Sequence, residues 1–345
     1  MKVHVYLLCY NEENIIRNVL DYYLRFCTKV FILDNMSTDS SVDIAKSFGD
    51  KVEVISWESG DKIDESLYVR IKTRYYKEFS REGGKYTREI ADWVISCDMD
   101  ELLYHPDILG VLSQYKKMGV TVPQITGFNM VGDNELVPSK GILSQYSEAV
   151  RKEEFDKRII FAPEFDMAYS YGCHPNGVGF EYMKNSFGYK TSNKFELALL
   201  HYKFIGERWV EAARRNSERI VSENVKQMSN GRFQGLGSHY FNIVNGFTSK
   251  PSGDVVQKLF GDNGNVNFSL FDECTGERGF PYTSSIKFTE VDVDLIRDVA
   301  LDYGGQNKYS IAYSLMLLAK RARPNGPLIS NKLKEYKLAL DKISS

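Results

Sequence analysis

Four short apolar runs in the first hundred residues alternate with segments of helical period, and this rhythm narrows the fold more than any other feature of the chain. Val3 to Tyr10, Lys29 to Leu33, Val52 to Ser56 and Trp93 to Cys97 have strand length and almost no polar interruption, as strands covered on both faces do. Between the first two, Ile16, Val19, Leu20, Tyr23, Leu24 and Cys27 recur at three- and four-residue steps, which predicts a helix over Ile15 to Cys27. Thr38 or Asp39 caps a second helix that runs through Phe48 and is stopped by Gly49. Tyr68, Ile71, Tyr75 and Phe79 mark one face of a third, over Asp64 to Arg81. Parallel strands joined through helices are right-handed crossovers, so the expected fold is α/β, with a doubly wound, mainly parallel sheet.

Beyond residue 103 the pattern loosens. A helix is expected from Pro106 to Met118 and a strand from Thr121 to Val131. Short apolar runs at Arg158 to Ala162 and Met167 to Tyr171, set among Gly, Asn and Pro, suggest a smaller mixed sheet. Leu197 to Phe204 reads as a strand carrying His201, and Glu207 to Met228 as a long charged helix with Arg214, Arg215 and Lys226 on an exposed face. The stretch Ser229 to Thr283, rich in Gly, Asn and Ser, reads as loops or an insertion. Helices follow over Asp292 to Asp302 and Tyr309 to Arg321, break at Arg323-Pro-Asn-Gly-Pro327 and resume. The expected organisation is a main domain over 1–230, in halves 1–103 and 104–230, a loop-rich insertion or linker over 231–285, and a helical C-terminal region over 286–345.

With 44 basic against 46 acidic residues the net charge is −2, which gives no electrostatic case for a nucleic-acid partner. Cys9, Cys27, Cys97, Cys173 and Cys274 are scattered and never spaced as C-x-x-C, which argues against a disulfide framework or a structural zinc site. The opening apolar run is too short for a signal sequence, and no window approaches the roughly 20 apolar residues of a membrane span, so a cytoplasmic protein is expected. Leu333, Tyr336, Leu340 and Ile343 share one helix face interspersed with lysines. That face would pack on the main domain, join a second copy into a homo-oligomer, or rest peripherally on a membrane surface.

Chemistry is expected where the fourth strand meets three carboxylates, Asp98, Asp100 and Glu101. In an extended chain Asp98 and Asp100 point one way while Met99 turns to the core. Paired acids at the end of a buried strand are costly unless neutralised, and a divalent cation carrying a substrate diphosphate would do so. The bland reading is an acidic turn. Against it, Asn11-Glu12, Asp34-Asn35 and Asp98-Met-Asp100 all fall at strand carboxyl ends, where doubly wound sheets bind ligands.

Cys9-Tyr-Asn-Glu-Glu-Asn14, Phe31-Ile-Leu-Asp-Asn-Met-Ser-Thr-Asp39, and Trp93 followed by Asp98-Met-Asp-Glu-Leu102 together resemble the family 2-like glycosyltransferases of GT-A fold. The subgroup with Asp-x-Asp-Glu, a basic strand and a His-Tyr pair is the nearest likeness, matched here by Lys157-Arg158, His174 and His201-Tyr202. The resemblance is good over residues 3–103, thinner to about 210, and silent beyond. It implies transfer of a sugar from a nucleotide-diphosphate donor to a hydroxyl of a glycan or lipid-linked glycan in surface-polysaccharide synthesis, by an inverting, Mn2+- or Mg2+-dependent route. By the same match Asp34 would bind the nucleobase and Asn11 and Glu12 would line the nucleotide pocket. Asp98 would contact ribose or metal-bound water, and Asp100 would hold the metal with His201. For the general base Asp166 is the first candidate and Glu101 the competing one, ahead of Asp133, Glu135, Glu164 and Glu181; Glu101 would alternatively brace the metal-binding turn. A sugar nucleotidyltransferase would usually show a Gly-rich phosphate loop at Asn11-Glu-Glu-Asn, and a non-catalytic carbohydrate-binding protein would not need Asp98, Asp100 and His201 together.

Overall fold

The structure, a computed structural model, describes residues 1–63, 65–138, 140–167, 188–194, 196–220, 225–235, 237–262, 264–271 and 290–343. Its first sheet has β1 (Val3–Cys9) at the centre, parallel to β2 (Lys29–Asp34) on one side and β4 (Trp93–Asp98) on the other. β3 (Val52–Ser56) runs parallel outside β2, and the short β8 (Ile160–Phe161) closes the other edge antiparallel to β4. Alternate residues of β1 serve two cores. Val3, Val5, Leu7 and Cys9 pack with Ile16, Val19, Leu20 and Tyr23, around helices α1 (Ile16–Tyr23) and α2 (Ser41–Lys46). Tyr6 faces the other way, with Phe31, Val69 and Tyr76, against helix α3 (Glu65–Phe79). Helices on both faces of a mainly parallel sheet are the fold class expected from the sequence.

A second sheet has the order β12-β7-β6-β9-β5. Its members are β5 (Glu101–Tyr104), β6 (Ile125–Gly132), β7 (Glu148–Arg151), β9 (Leu197–Ile205) and β12 (Gln257–Lys258). β6 and β9 are parallel and the other pairings antiparallel, so the sheet is mixed, also as expected. β5 was not foreseen: four residues after an acidic turn carry no periodic signal. β12 and the buried Leu259, Phe260 and Phe271 bring part of the loop-rich stretch into the second sheet and its core.

Several boundaries moved for local reasons. Helix α4 (Ile108–Lys117) starts two residues past Pro106 because the Asp107 carboxylate accepts the Gly110 N–H and caps it. The strand expected from Thr121 starts at Ile125, since Pro123 has no N–H for the ladder and Thr121 and Val122 donate to the Lys190 carbonyl instead. Helix α5 (Arg208–Arg219) is shorter than its charge pattern suggested. Strands β10 (Val225–Gln227) and β11 (Phe233–Gly235) form a hairpin turned at Asn230-Gly231, where Gly231 has φ +81°, and α6 (Ser238–Val244) follows.

Three further helices, α7 (Glu290–Gly305), α8 (Tyr309–Ala322) and α9 (Pro327–Ile343), pack on the outer side of α3 and share its core cluster through Val299, Met316 and Tyr336. Ion pairs tie the layers, Arg70 to Asp294 at 3.0 Å and Lys77 to Asp302 at 3.7 Å. Tyr336 is buried, so this part of the C-terminal apolar face is used within the chain. No described helix is long and apolar enough to cross a membrane. Cys9, Cys27 and Cys97 are free and buried, whereas Cys173 and Cys274 lie outside the described residues.

Candidate active site

The two sheets meet where β4 ends and β5 begins, with only Met99 and Asp100 between them. Met99 is buried in the core, and the Asp100 carbonyl accepts the Tyr202 N–H at 2.7 Å, which fixes the turn against β9. The antiparallel register places Glu101 opposite His201. Asp100 and His201, a hundred residues apart in sequence, therefore meet with Oδ2 and Nε2 3.5 Å apart, and the other His201 nitrogen bonds Asn129 Oδ1 at 2.9 Å. Burial alone would raise the Asp100 carboxyl; the His201 and Arg208 charges beside it outweigh that and hold it well below the usual carboxylate range.

These groups form the floor of a crevice of about 280 Å³. From the strand ends of the first sheet and α3 it is lined by Tyr10, Asn35, Trp57 and Tyr68, and from the elements of the second half by Phe155, Lys203, Trp209 and Tyr240. Helix α5 lies along it and contributes Arg208, Arg215 and Arg219, spaced at seven and four residues so that they share a face. Arg208 and Arg215 both donate to the Glu12 carboxylate, at 2.7 and 3.0 Å. Arg219 stacks on the Tyr10 ring at 3.4 Å and pairs with Asp61 at 3.3 Å.

Two buried lysines complete the electrostatics. Lys72, from α3, reaches Asp98 Oδ1 at 2.6 Å, and Lys157 pairs with Glu101 Oε1 at 2.6 Å. Burial would raise the Asp98 carboxyl, but Lys72 and then Lys157 pull it below its ordinary value. Glu101, almost fully buried, also accepts the Asp98 N–H at 3.2 Å, so in this arrangement it braces the turn. Lys157 and Arg158 are both buried, with Arg158 donating to Gln124. Arg215, expected on an exposed helix face, is turned into the crevice. Sequence reasoning missed Lys72 and Arg208. Lys72 sits at the position between Tyr68 and Tyr76 on the apolar face of α3, and a lysine there was the available signal.

Glu12, Asp98, Asp100, Glu101 and His201 are thus brought together, and the other described candidates are not. Asn11, at φ +54°, accepts the Thr38 and Asp39 N–H groups and clasps the β1–α1 loop to the β2–α2 loop. Asp34 is buried and accepts the Ser37 N–H, capping its own turn. The crevice wall at that strand end is Asn35. Asp166 lies behind the first sheet, buried between Lys77 at 2.9 Å and Arg81 at 2.7 Å. It is a counter-ion under the C-terminal helices and is not positioned to take a proton from a crevice ligand. Asp133 and Glu135 are engaged elsewhere, with Lys250 and the Glu207 N–H, and Glu164 is exposed off the crevice. His174 and Glu181 lie outside the described residues.

Asp100 and His201 suit a divalent ion as a pair, because ligand atoms each about 2.1 Å from one ion stand roughly 3 Å apart when adjacent. Asp98 fits less well, its carboxylate being taken by Lys72. Among the described residues no three His, Cys, Asp or Glu side chains group as a complete metal cage. Further ligands would have to come from the bound substrate, the usual way a substrate diphosphate shares a metal.

No family model and no curated protein matches the chain. Among solved structures, glucosyl-3-phosphoglycerate synthase from Mycobacterium tuberculosis, with Mn2+, uridine diphosphate and glucosyl-3-phosphoglycerate, is similar at 21% identity over 37% of this chain and 44% of that one, TM-score 0.27. A complex of the same synthase with Mn2+, UDP-glucose and phosphoglyceric acid aligns at 15% identity over 68% and 86%, TM-score 0.39. TarS of S. aureus aligns at 12% identity over 72% and 43%, TM-score 0.32. The first of these alignments spans less than half of the matched structure's length.

Proposed function

We propose that the chain is a GT-A-type glycosyltransferase that moves a sugar from a nucleotide-diphosphate donor to an acceptor hydroxyl. The observation that carries this reading is the pairing of Asp100 with His201 at 3.5 Å on the floor of a crevice walled by arginines and lysines. In this reading the nucleoside lies along Tyr10, Asn35, Trp57 and Tyr68, where aromatic faces suit a base, and Asn35 takes the recognition role that the resemblance assigned to Asp34. The diphosphate faces Arg208, Arg215 and Lys157.

Asp100 and His201 would hold Mn2+ or Mg2+, which when bound supplies Lewis-acid charge to the diphosphate. The acceptor oxygen attacks the anomeric carbon. As that bond forms, the carbon–oxygen bond to the diphosphate breaks, its electron pair leaves with the nucleoside diphosphate, and the hydroxyl proton passes to a base on the acceptor face. The cationic wall stabilises the charge that develops on the leaving group. Attack opposite the leaving group makes the reaction inverting. The acceptor in this reading is a glycan or lipid-linked glycan precursor of a surface polysaccharide, met on the cytoplasmic side.

Calorimetric titration with a panel of nucleoside diphosphates, with Mn2+ or with chelator, tests the donor site. Metal-dependent binding of one nucleotide by the wild type and its loss in Asp100→Ala is the expected result. A folded wild type that binds none of them under either condition refutes the reading.

A further inference from the structure

The cations of the crevice fall into two classes. Lys157 is matched by Glu101, Arg208 and Arg215 by Glu12, and Arg219 by Asp61. Lys203 lines the same crevice and has no carboxylate within ion-pair distance among the described residues. Its ammonium lies over the Phe204 ring, 5.7 Å from the centroid. A lysine only partly exposed to solvent, with Asp100 and Glu154 acting on it only from beyond ion-pair distance among the described residues, has room for one more negative charge.

The backbone makes a local departure beside it. β6 and β9 run in register to Asn129 opposite His201, but the next partners are Val131 and Phe204, so β9 carries one residue more than β6 across this interval. Such a bulge re-aims a side chain and is characteristic of strands beside active sites. Strict alternation from His201 already sends Lys203, two residues on, to the crevice face, and the bulge changes the facing of the residues after it, bringing Phe204 opposite Val131. Phe204 packs with Val131, Val150 and Trp209, while Lys203 keeps the crevice face that His201 occupies. The position matters too. Lys203 lies two residues past His201 on the second sheet, whereas Asn35 and Trp57 follow the strand ends of the first.

We infer that Lys203 is the anchor for an anionic group carried by the acceptor, a phosphate or carboxylate on a sugar or polyol whose ring lies against Trp209 and Tyr240. This deepens the transferase reading and rests on it for the word acceptor. The unmatched charge selects acceptors that bring their own negative charge, and the neighbouring aromatic faces take the apolar faces of the ring.

The test is titration of wild type, Lys203→Met and Lys203→Arg with glucose 6-phosphate, glucuronate and glucose, each run with and without a saturating nucleoside diphosphate and Mn2+. Wild type should prefer at least one anionic sugar to glucose by about tenfold or more, as expected for a charge-assisted contact. Lys203→Met should lose that preference and Lys203→Arg should keep it, with nucleotide affinity within about twofold of wild type in both. Which of the two sugars is preferred separates phosphate from carboxylate. No preference in the wild type overturns the inference, as does a fall in nucleotide affinity in Lys203→Met without loss of an anion preference, which would give the lysine to the donor. Should no nucleotide bind, the runs without it still decide the anion site, and only the donor reading fails.

Discussion

Replacing Asp166 by asparagine separates two roles that the residue cannot hold together. Its carboxylate is 4% exposed and lies 2.7 Å from Arg81 and 2.9 Å from Lys77, and Tyr303 adds a hydrogen bond from α7. Both cations are themselves mostly buried. The neutral amide leaves two positive charges without their counter-ion, a change that typically costs about 3–5 kcal/mol. Lys77 keeps a distant, exposed partner in Asp302, so the lower end, about 3 kcal/mol, is expected. Against a total stability of order 5–15 kcal/mol this is a large shift in the urea midpoint. Burial raises the native Asp166 carboxyl, but Lys77 and Arg81 outweigh it and leave it below its ordinary value. The stabilisation is therefore complete above about pH 4, where the unfolded carboxyl ionises, and is lost as pH falls through the lower native value. Urea curves followed by tryptophan fluorescence should show wild type and Asp166→Asn far apart at pH 7.5 and converging below about pH 4, with nucleotide binding unchanged. A general base at this position predicts the reverse: an unmoved midpoint and turnover reduced by about 10²–10⁴-fold. That pair of results would refute the counter-ion assignment.

Other expectations follow from the same geometry. Lys72→Met removes the ammonium from Asp98 and frees that carboxylate, so Mn2+ should bind more tightly to the variant in calorimetry; weaker binding would show that Lys72 supports the metal rather than competing with it. Gly206 has φ +55° and a Cβ there would strike the Glu135 carboxylate. Gly206→Ala should lower stability by about 1–2 kcal/mol in a thermal melt, and an unchanged melting temperature would contradict the strain argument. His4 is buried on Ser80 and Glu89, and burial holds its pKa below the ordinary value despite Glu89. A neutral native imidazole and an unfolded one titrating near 6.5 mean stability lost as pH drops through about 6.5, a slope that His4→Gln should flatten in urea midpoints measured from pH 7.5 to 5.5.

The sheet rhythm was legible because central parallel strands are buried on both faces and announce themselves as continuous apolar runs. The acid cluster was legible for the same reason: Asp98 interrupts such a run. Asp34 and Asn11 were read one step too far. A turn-capping carboxylate and a ligand-facing one occupy the same strand end, and only the loop geometry tells Asp34 from Asn35. The arginines of α5 were misread because charges gathered on one side of an amphipathic helix read as a solvent face, and only the fold brings the Tyr10–Glu12 loop against them. Asp166 misled because a buried counter-ion and a catalytic base leave the same trace in sequence, an acid among apolar neighbours. The β9 bulge has no sequence signature at all; it exists only as a difference in residue count between two strands paired across seventy positions.

The two residues that join β4 to β5 have an architectural consequence. Asp100 belongs to neither sheet and is covalently tied to both, so any change in the angle between the sheets arrives at its carboxylate undiluted by intervening chain. The carboxylate–imidazole gap is in effect a gauge of how the two halves are seated. A chimera spliced at this seam would cut through the site itself, since one parent would contribute Asp98 and the other His201. Recombination that preserves the centre has to keep β4, β5 and β9 from one parent and place its junctions outside that span, in outlying connections such as the stretch between α6 and β12.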